Sequence, residues 1–217
     1  MLFDGRNRVR FSYSRYGYTR GGGKTWHGGI DVDGLDDYTI KMPSYDNKTI
    51  QGTVTTARIV TNRSNKTWEW GYYVCVKLDV NQTPDQVNYL YFCHCDKILV
   101  KVGQKVKTGD AIAIMGNTGN ATLANPPYKH CHFEVRASST GKGLDPTHYV
   151  GFAKAVGTYD SKVEVKQPDE PVAQPTESKL QIITIGPVSQ GDADKIYALC
   201  KELGLTEQNL YKSEWVK

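Results

Sequence analysis

As far as about residue 155 this chain is written in short runs of alternating apolar and polar residues, each bounded by Gly, Pro, Asn or Asp. That texture constrains the fold more than any other feature: it specifies an all-β domain with many tight connections. Strands are predicted over 8–13, 52–60, 71–80, 88–95, 111–115 and 130–136, and no amphipathic helix pattern competes with them. Over 99–115, Gly103 and Gly109 punctuate a run carrying Val100, Val102 and Val106, which predicts two short strands turned back by glycine hairpins. With 39% hydrophobic and 23% charged residues, the 217-residue chain excludes a wholly disordered, collagen-like or coiled-coil architecture. No window approaches the ~18 uninterrupted apolar residues of a membrane span, so no membrane partner is expected.

The texture breaks at 163–179, where Pro168, Pro171 and Pro175 alternate with Glu, Asp, Gln and Lys. Such a stretch buries too little apolar surface to order itself, and proline stiffens it into a spacer. The predicted organisation is a domain at 1–160, a linker at 161–179 and a small β-α-β unit at 180–217. In that unit 180–185 and 210–216 read as strands. Between them 192–203 reads as a helix with Ala193, Ile196, Leu199, Cys200 and Leu203 on one face and Gly204 as its stop. About 38 residues rarely fold alone, so the unit is expected either to dock on the first domain or to form a homodimer through 180–217.

Charge and cysteine usage narrow the setting. Of 27 Lys and Arg and 23 Asp and Glu, seven and nine fall from Lys162 onward, leaving 20 against 14 in residues 1–161, which favours an acidic partner. No basic run interleaved with aromatics is present, so nucleic acid is not expected. Cys75, Cys93, Cys95, Cys131 and Cys200 form neither an even set nor a Cys-x-x-Cys pair, which points to free thiols and a reducing cytoplasm. Arginines and alternating polar residues occupy 1–13 where a secretory leader would be apolar, so no signal peptide is expected.

Four of the five histidines fall where a metal site would want them. His130 and His132 lie two apart in a predicted strand and must share a face, continued by Glu134 and Arg136, while Cys131, Phe133 and Val135 face the core. His27-Gly28-Gly29-Ile30-Asp31 presents an imidazole and a carboxylate four residues apart across two glycines expected to turn tightly. Zn²⁺ in catalytic sites takes three protein ligands and keeps a fourth position for water, so His27, Asp31 and one of the strand histidines would complete such a site. His94, in a second predicted strand, adds an imidazole close by. Cys93 and Cys95 bracket it and by alternation should both face away from it as buried thiols.

Taken in order, His27-x-x-x-Asp31, the strand with His94, the segment from Val100 to Asp110, Gly116-Asn117-Thr118-Gly119 and His130-x-His132-Phe133-Glu134 resemble the lysostaphin-type, or LytM-type, zinc metallopeptidases. The resemblance covers about residues 8 to 152, including Asp145-Pro146 and Tyr149. It implies a mainly β, antiparallel two-sheet catalytic domain (the duplicated hybrid motif) with a groove along the site. It implies one Zn²⁺ held by His27, Asp31 and His132, flanked by His94 and His130 as general base and oxyanion partner, without deciding which does which. It implies hydrolysis of peptide bonds in bacterial peptidoglycan. Without a leader, and with a small unit suited to wall binding behind a linker, the expected setting is a phage or prophage endolysin held in the host cytoplasm until release.

Departures and rivals are also legible. Phe92 stands where the family often has Tyr, so a phenol is lost there or supplied by Tyr91 or Tyr89, and 123–129 lacks the glycine-containing approach usual before the paired histidines. Glu134 reads as a surface charge or a partner of a ligand, and His148 as a surface histidine. Gly23-Lys24-Thr25 fails as a phosphate loop because Tyr18 stands where Gly is needed. Asp31-x-Asp33-Gly34 fails as a calcium loop because Met42 stands where Glu is needed, and both stretches read as turns. The rival functions are a non-catalytic LytM-like protein that binds wall or activates a hydrolase, and a lipoyl or phosphohistidine carrier domain. Neither rival requires the complete set of His27, Asp31 and His-x-His.

Overall fold

The structure is a computed structural model that describes residues 1–161 and 189–202. The chain divides into two units, Met1–Val165 and Lys166–Lys217. In the second, the described element is α2 (Gln190–Glu202), which begins two residues before the predicted helix. The Asp192 N–H donates to the Ser189 hydroxyl at its start (3.3 Å), and Ala193, Ile196 and Cys200 are only partly exposed. The linker at 161–179, the strands at 180–185 and 210–216 and the stop at Gly204 lie outside the described residues.

The first unit is mainly β and antiparallel. Its strands are β1 (Arg6–Val9), β2 (Gly17–Arg20), β3 (Thr25–His27), β4 (Ile30–Gly34), β5 (Thr39–Lys41), β6 (Gln51–Arg58) and β7 (Tyr72–Leu78). There follow β8 (Tyr89–Ile98), β9 (Lys105–Lys107), β10 (Ala111–Met115), β11 (Cys131–Arg136), β12 (Gly143–Leu144), the single turn α1 (Thr147–Val150) and β13 (Gly157–Asp160). One sheet runs β13-β1-β4-β11-β8-β7-β6-β9, with β10 joined to β8 and β5, and β12 to β11; β2 and β3 form a separate hairpin.

Alternation explains the packing. From β8 and β11, Leu90, Phe92, Phe133 and Val135 enter the main core fully buried, and Phe92 opposes Phe133 across the ladder with ring centroids 5.2 Å apart. Each such ring contributes roughly 1.5–3 kcal/mol by burial. The other face of β7 and β8 carries Tyr73, Cys75, Tyr91 and Cys93 in a second, smaller cluster with Val60.

Four expectations are corrected. The strand predicted over 8–13 ends at Val9, and 12–14 is a short 3-10 turn. The strands β9 and β10 do not form a hairpin: β9 pairs with β6, while β10 carries buried Ile112, Ala113 and Met115 between β5 and β8. Residues 31–34 are strand rather than turn, because Ile30 and Val32 are needed in the core opposite Phe133 and Cys131. Finally, Cys93 and Cys95 do not share a face. His94 has a left-handed backbone (φ +63°), and the β8 ladder changes register there, so Cys93 faces the His132 side while Cys95 joins the main core. All three thiols of β8 and β11 are nonetheless buried and free.

The glycines before β4 serve close approach rather than a left-handed turn. A Cβ on Gly29 would lie 2.3 Å from the Phe133 carbonyl oxygen and 2.9 Å from the His132 ring. Gly29→Ala is therefore expected to force β4 off β11, costing about 1–3 kcal/mol in stability as overpacking does. Chemical denaturation checks the stability loss, and a parallel metal titration should show weakened binding, because Asp31 and His132 face each other across the same ladder.

Candidate metal centre

The register of β4 on β11 sets Asp31 directly opposite His132, and β3 ends in His27 just ahead of the two glycines. Three donor atoms converge: His27 Nε2 lies 3.0 Å from His132 Nδ1 and 3.2 Å from Asp31 Oδ1, and His132 Nδ1 lies 2.9 Å from the same oxygen. These are also the described residues whose ligating atoms cluster as a metal site would. Tetrahedral Zn²⁺ with bonds near 2.0–2.1 Å holds its ligand atoms roughly 3.3 Å apart, so the triangle fits a small divalent ion closely. Two imidazole nitrogens aimed at each other can share only one proton, which a cation in their place would make unnecessary.

Each ligand is braced from behind. The His27 Nδ1 donates to the Arg15 carbonyl (2.8 Å), leaving Nε2 with its lone pair inward. His132 Nε2 faces Glu134 Oε2 at 3.5 Å, and Arg136 holds both oxygens of Glu134 at 2.9 Å. Asp31 turns its second oxygen to Arg20 Nη2 (3.0 Å). A carboxylate behind a ligating imidazole fixes the ring and raises its basicity. Glu134 is thus a buried partner of a ligand, not a surface charge.

His94 and His130 stand beside this triangle, their rings 4.8 Å apart, with His94 6.0 Å from the His132 ring. The left-handed residue in β8 turns His94 toward the site, where its Nδ1 donates to the Thr118 carbonyl (2.9 Å). Thr118 is itself clamped, its hydroxyl donating to Cys95 O and accepting from Tyr72 N–H. His130 is buried, bridges to Gly116, stacks on Tyr128 (4.7 Å), and its Nδ1 has no hydrogen-bond partner among the described residues. All five predicted site residues line one cleft of about 460 Å³, together with Arg20, Trp26, Trp70, Tyr128 and Glu134. His148, 57% exposed, pairs with Asp46 at the surface and does not line the cleft.

Electrostatics divides the histidines. Burial, then the neighbouring His130 and His132, lower His94 to about 3, and burial lowers His130 and His27. Burial also opposes charge on His132 and Asp31, but their mutual hydrogen bond and the help of Glu134 and His27 win: His132 is raised to about 9 and Asp31 held well below the usual carboxylate range. In the metal-free protein the shared proton therefore sits on His132, and His94 and His130 are neutral imidazoles, each with one N–H and one lone pair.

Sequence reasoning missed the supporting contacts. Arg20 and the Arg15 carbonyl lie on β2 and its approach, with no local signal to mark them. Thr118 sits in the quoted Gly116–Gly119 motif, but its contribution is a backbone oxygen, invisible to side-chain reading. Tyr91 does not replace the phenol missing at Phe92; its hydroxyl donates to Ser139 O (2.8 Å).

A raised imidazole stabilises the fold fully below the free value of about 6.5 and loses that contribution as pH rises through its folded value. Metal-free protein should accordingly lose stability between about pH 6.5 and the value near 9 given for His132. Divalent metal binding should release one proton across the same window and tighten as pH rises. Calorimetric titration of Zn²⁺ in buffers of different ionisation enthalpy counts that proton, and Glu134→Gln should weaken the metal about 10- to 100-fold.

Comparison with known proteins adds a family likeness to this geometry. Residues 42–146 match Peptidase family M23, a span that holds His94, His130 and His132 and stops short of His27 and Asp31, which the β4–β11 register adds. The peptidoglycan DD-endopeptidase ShyB of Vibrio cholerae is 36% identical over 87 residues, covering 35% of this chain and 19% of that protein. The outer membrane antigenic lipoprotein B of Haemophilus influenzae is 42% identical over 59 residues, covering 27% and 13%. The chain thus spans less than a fifth of the length of these two relatives. Among solved structures, the catalytic domain of the antimicrobial peptidase lysostaphin from Staphylococcus simulans matches at 25% identity over 62% of this chain and 86% of that chain, with a TM-score of 0.44. Residues 42–146, just under half of the chain, are thus similar to the LytM-type domain of Peptidase family M23, a metallopeptidase family.

Proposed function

We propose that the chain is a zinc-dependent endopeptidase that hydrolyses peptide bonds in bacterial peptidoglycan cross-links. The observation that carries this reading is the triangle of His27 Nε2, Asp31 Oδ1 and His132 Nδ1, with edges of 2.9–3.2 Å, in a cleft that also holds two neutral imidazoles. The substrate class is supported by the family and by the similarity to a peptidoglycan DD-endopeptidase. A divalent ion, when bound, supplies Lewis-acid polarisation and lowers the pKa of water. The protein's part is to hold, orient and move protons. His27, Asp31 and His132 hold the ion, with one carboxylate against two imidazoles leaving it net positive. His94, its Nδ1–H committed to Thr118, keeps Nε2 as the base that takes the water proton. His130 then hydrogen-bonds to the developing oxyanion.

The wider setting belongs to the same proposal: a phage or prophage lysin accumulating in the host cytoplasm, with the unit at 180–217 binding wall or joining two copies. Mass spectrometry of fragments released from purified walls of several chemotypes tests the activity and names the bond; walls that release no new amino and carboxyl termini overturn it. Asp31→Ala and His132→Ala should lose stoichiometric zinc in elemental analysis. By contrast, His94→Ala should keep zinc and lose about 10²- to 10⁴-fold in turnover, the usual contribution of a general base.

A further inference from the structure

A second cleft of about 280 Å³ adjoins the metal cleft and is built on charge. Asp33 lies two residues beyond Asp31 on the same face of β4 and is buried. Its Oδ2 accepts from Arg8 Nε (3.1 Å) and Nη2 (3.0 Å) and from Arg10 Nε (2.8 Å). Two guanidinium groups on one carboxylate leave a positive charge in excess. Lys129 also lines the cleft, but it is paired with Asp96 at 3.2 Å. Both arginines stay about a third exposed, at 32% and 33%, and the terminal nitrogens of Arg10 have no acceptor among the described residues.

Arg10 is also oriented. Its Cζ lies 5.1 Å from the Tyr128 ring centroid and 5.8 Å from that of Phe11. Tyr128 is the shared wall of the two clefts, and it stacks on His130 at 4.7 Å. One aromatic ring therefore separates the excess cation from an imidazole of the metal cleft.

We propose that this second cleft is a substrate subsite that binds a carboxylate of the peptide, with Arg10 as the principal ligand and Arg8 held beside it through Asp33. This rests on the peptidase reading and extends it from the bond cleaved to the charge recognised. A guanidinium fork matches a carboxylate in two parallel hydrogen bonds, and holding it against an aromatic face removes the ordering cost of a free side chain. An extended peptide advances roughly 3.3–3.6 Å per residue, so a carboxylate about two or three residues from the scissile bond would span the Tyr128 wall.

The test uses the full-length, zinc-loaded chain on purified walls, native or with their peptide carboxyls converted to amides. Arg10→Gln leaves Asp33 its bonds to Arg8 and should raise KM on native walls about tenfold with kcat within about twofold, as expected for losing one charged hydrogen-bonded contact. On amidated walls the wild type and the variant should coincide. A wild type indifferent to amidation, or a variant impaired equally on both walls, overturns the proposal. If Arg10→Gln does not fold, the comparison of the two walls with the wild type and with Arg10→Lys, expected to fall between, decides. If no wall is cleaved at all, the peptidase reading fails, and the subsite is judged by NMR titration of the arginine Nε–H signals. Glutarate should shift the Arg10 signal saturably and glutaramide should not. No response to glutarate, or tighter saturation by inorganic phosphate, overturns the carboxylate assignment.

Discussion

The site depends on the register of one pair of strands. Asp31 opposes His132 only because Ile30 opposes Phe133 and Val32 opposes Cys131 on the reverse face, all four fully buried. A slip of β4 by one residue would send Asp31 into the core and Ile30 and Val32 into the cleft, while His132 stayed in place on β11. The hydrophobic core is therefore what fixes the polar geometry, to within the few tenths of an ångström by which the three donor distances differ. Gly29 lets the two backbones approach, and Gly143, where a Cβ would fall 1.7 Å from the Gly28 carbonyl oxygen, closes the same corner from β12.

Around that register the protein repeats one electrostatic device. Each buried carboxylate near the clefts has an arginine: Asp31 has Arg20, Asp33 has Arg8 and Arg10, and Glu134 has Arg136. A buried unpaired charge would cost several kcal/mol, and an arginine that keeps part of its surface in water offsets this without being buried whole. The pairing also leaves work for each acid. Asp31 and Glu134 each have an oxygen facing an imidazole of the metal triangle, while Asp33 spends a single oxygen on two cations. β4 thus presents successive acids, Asp31 and Asp33, to successive clefts, with Tyr128 between them.

What was legible in the sequence was what local period controls. The alternation of 130–136 gave a core face of Cys131, Phe133 and Val135 and an opposite face of His132, Glu134 and Arg136, because a regular strand obeys its period of two. The same rule failed at Cys93, since the left-handed residue at His94 interrupts the period, and nothing in Cys93-His94-Cys95 announces a bulge at a non-glycine position. Strand pairing was equally hidden: the glycines at 103 and 109 correctly marked turns, yet β9 and β10 join different neighbours because long-range burial outweighs proximity along the chain. Candidate ligands could be named from residue type and order. Their backbone and arginine supports, scattered over Arg15, Arg20 and Thr118, follow from the tertiary fold alone.

A cluster of polar side chains can also be a satisfied piece of core, and the hydrogen-bond inventory argues against that here. In a structural cluster each buried nitrogen would meet a partner, because leaving one unmet costs about 1–3 kcal/mol. His130 Nδ1 is buried with none among the described residues, and His27 Nε2, His132 Nδ1 and Asp31 Oδ1 crowd into one triangle of 2.9–3.2 Å that a single proton holds together. Meanwhile the nitrogens turned away from the cleft on three of the rings are well supplied: His27 Nδ1 by a carbonyl, His94 Nδ1 by a carbonyl, and His132 Nε2 by a carboxylate. Supporting bonds are complete on the protein side of these three rings, while bonding capacity is left over toward the cleft. That asymmetry is what a fold retains when the missing partners arrive from solution, as the proposed ion, water and peptide would.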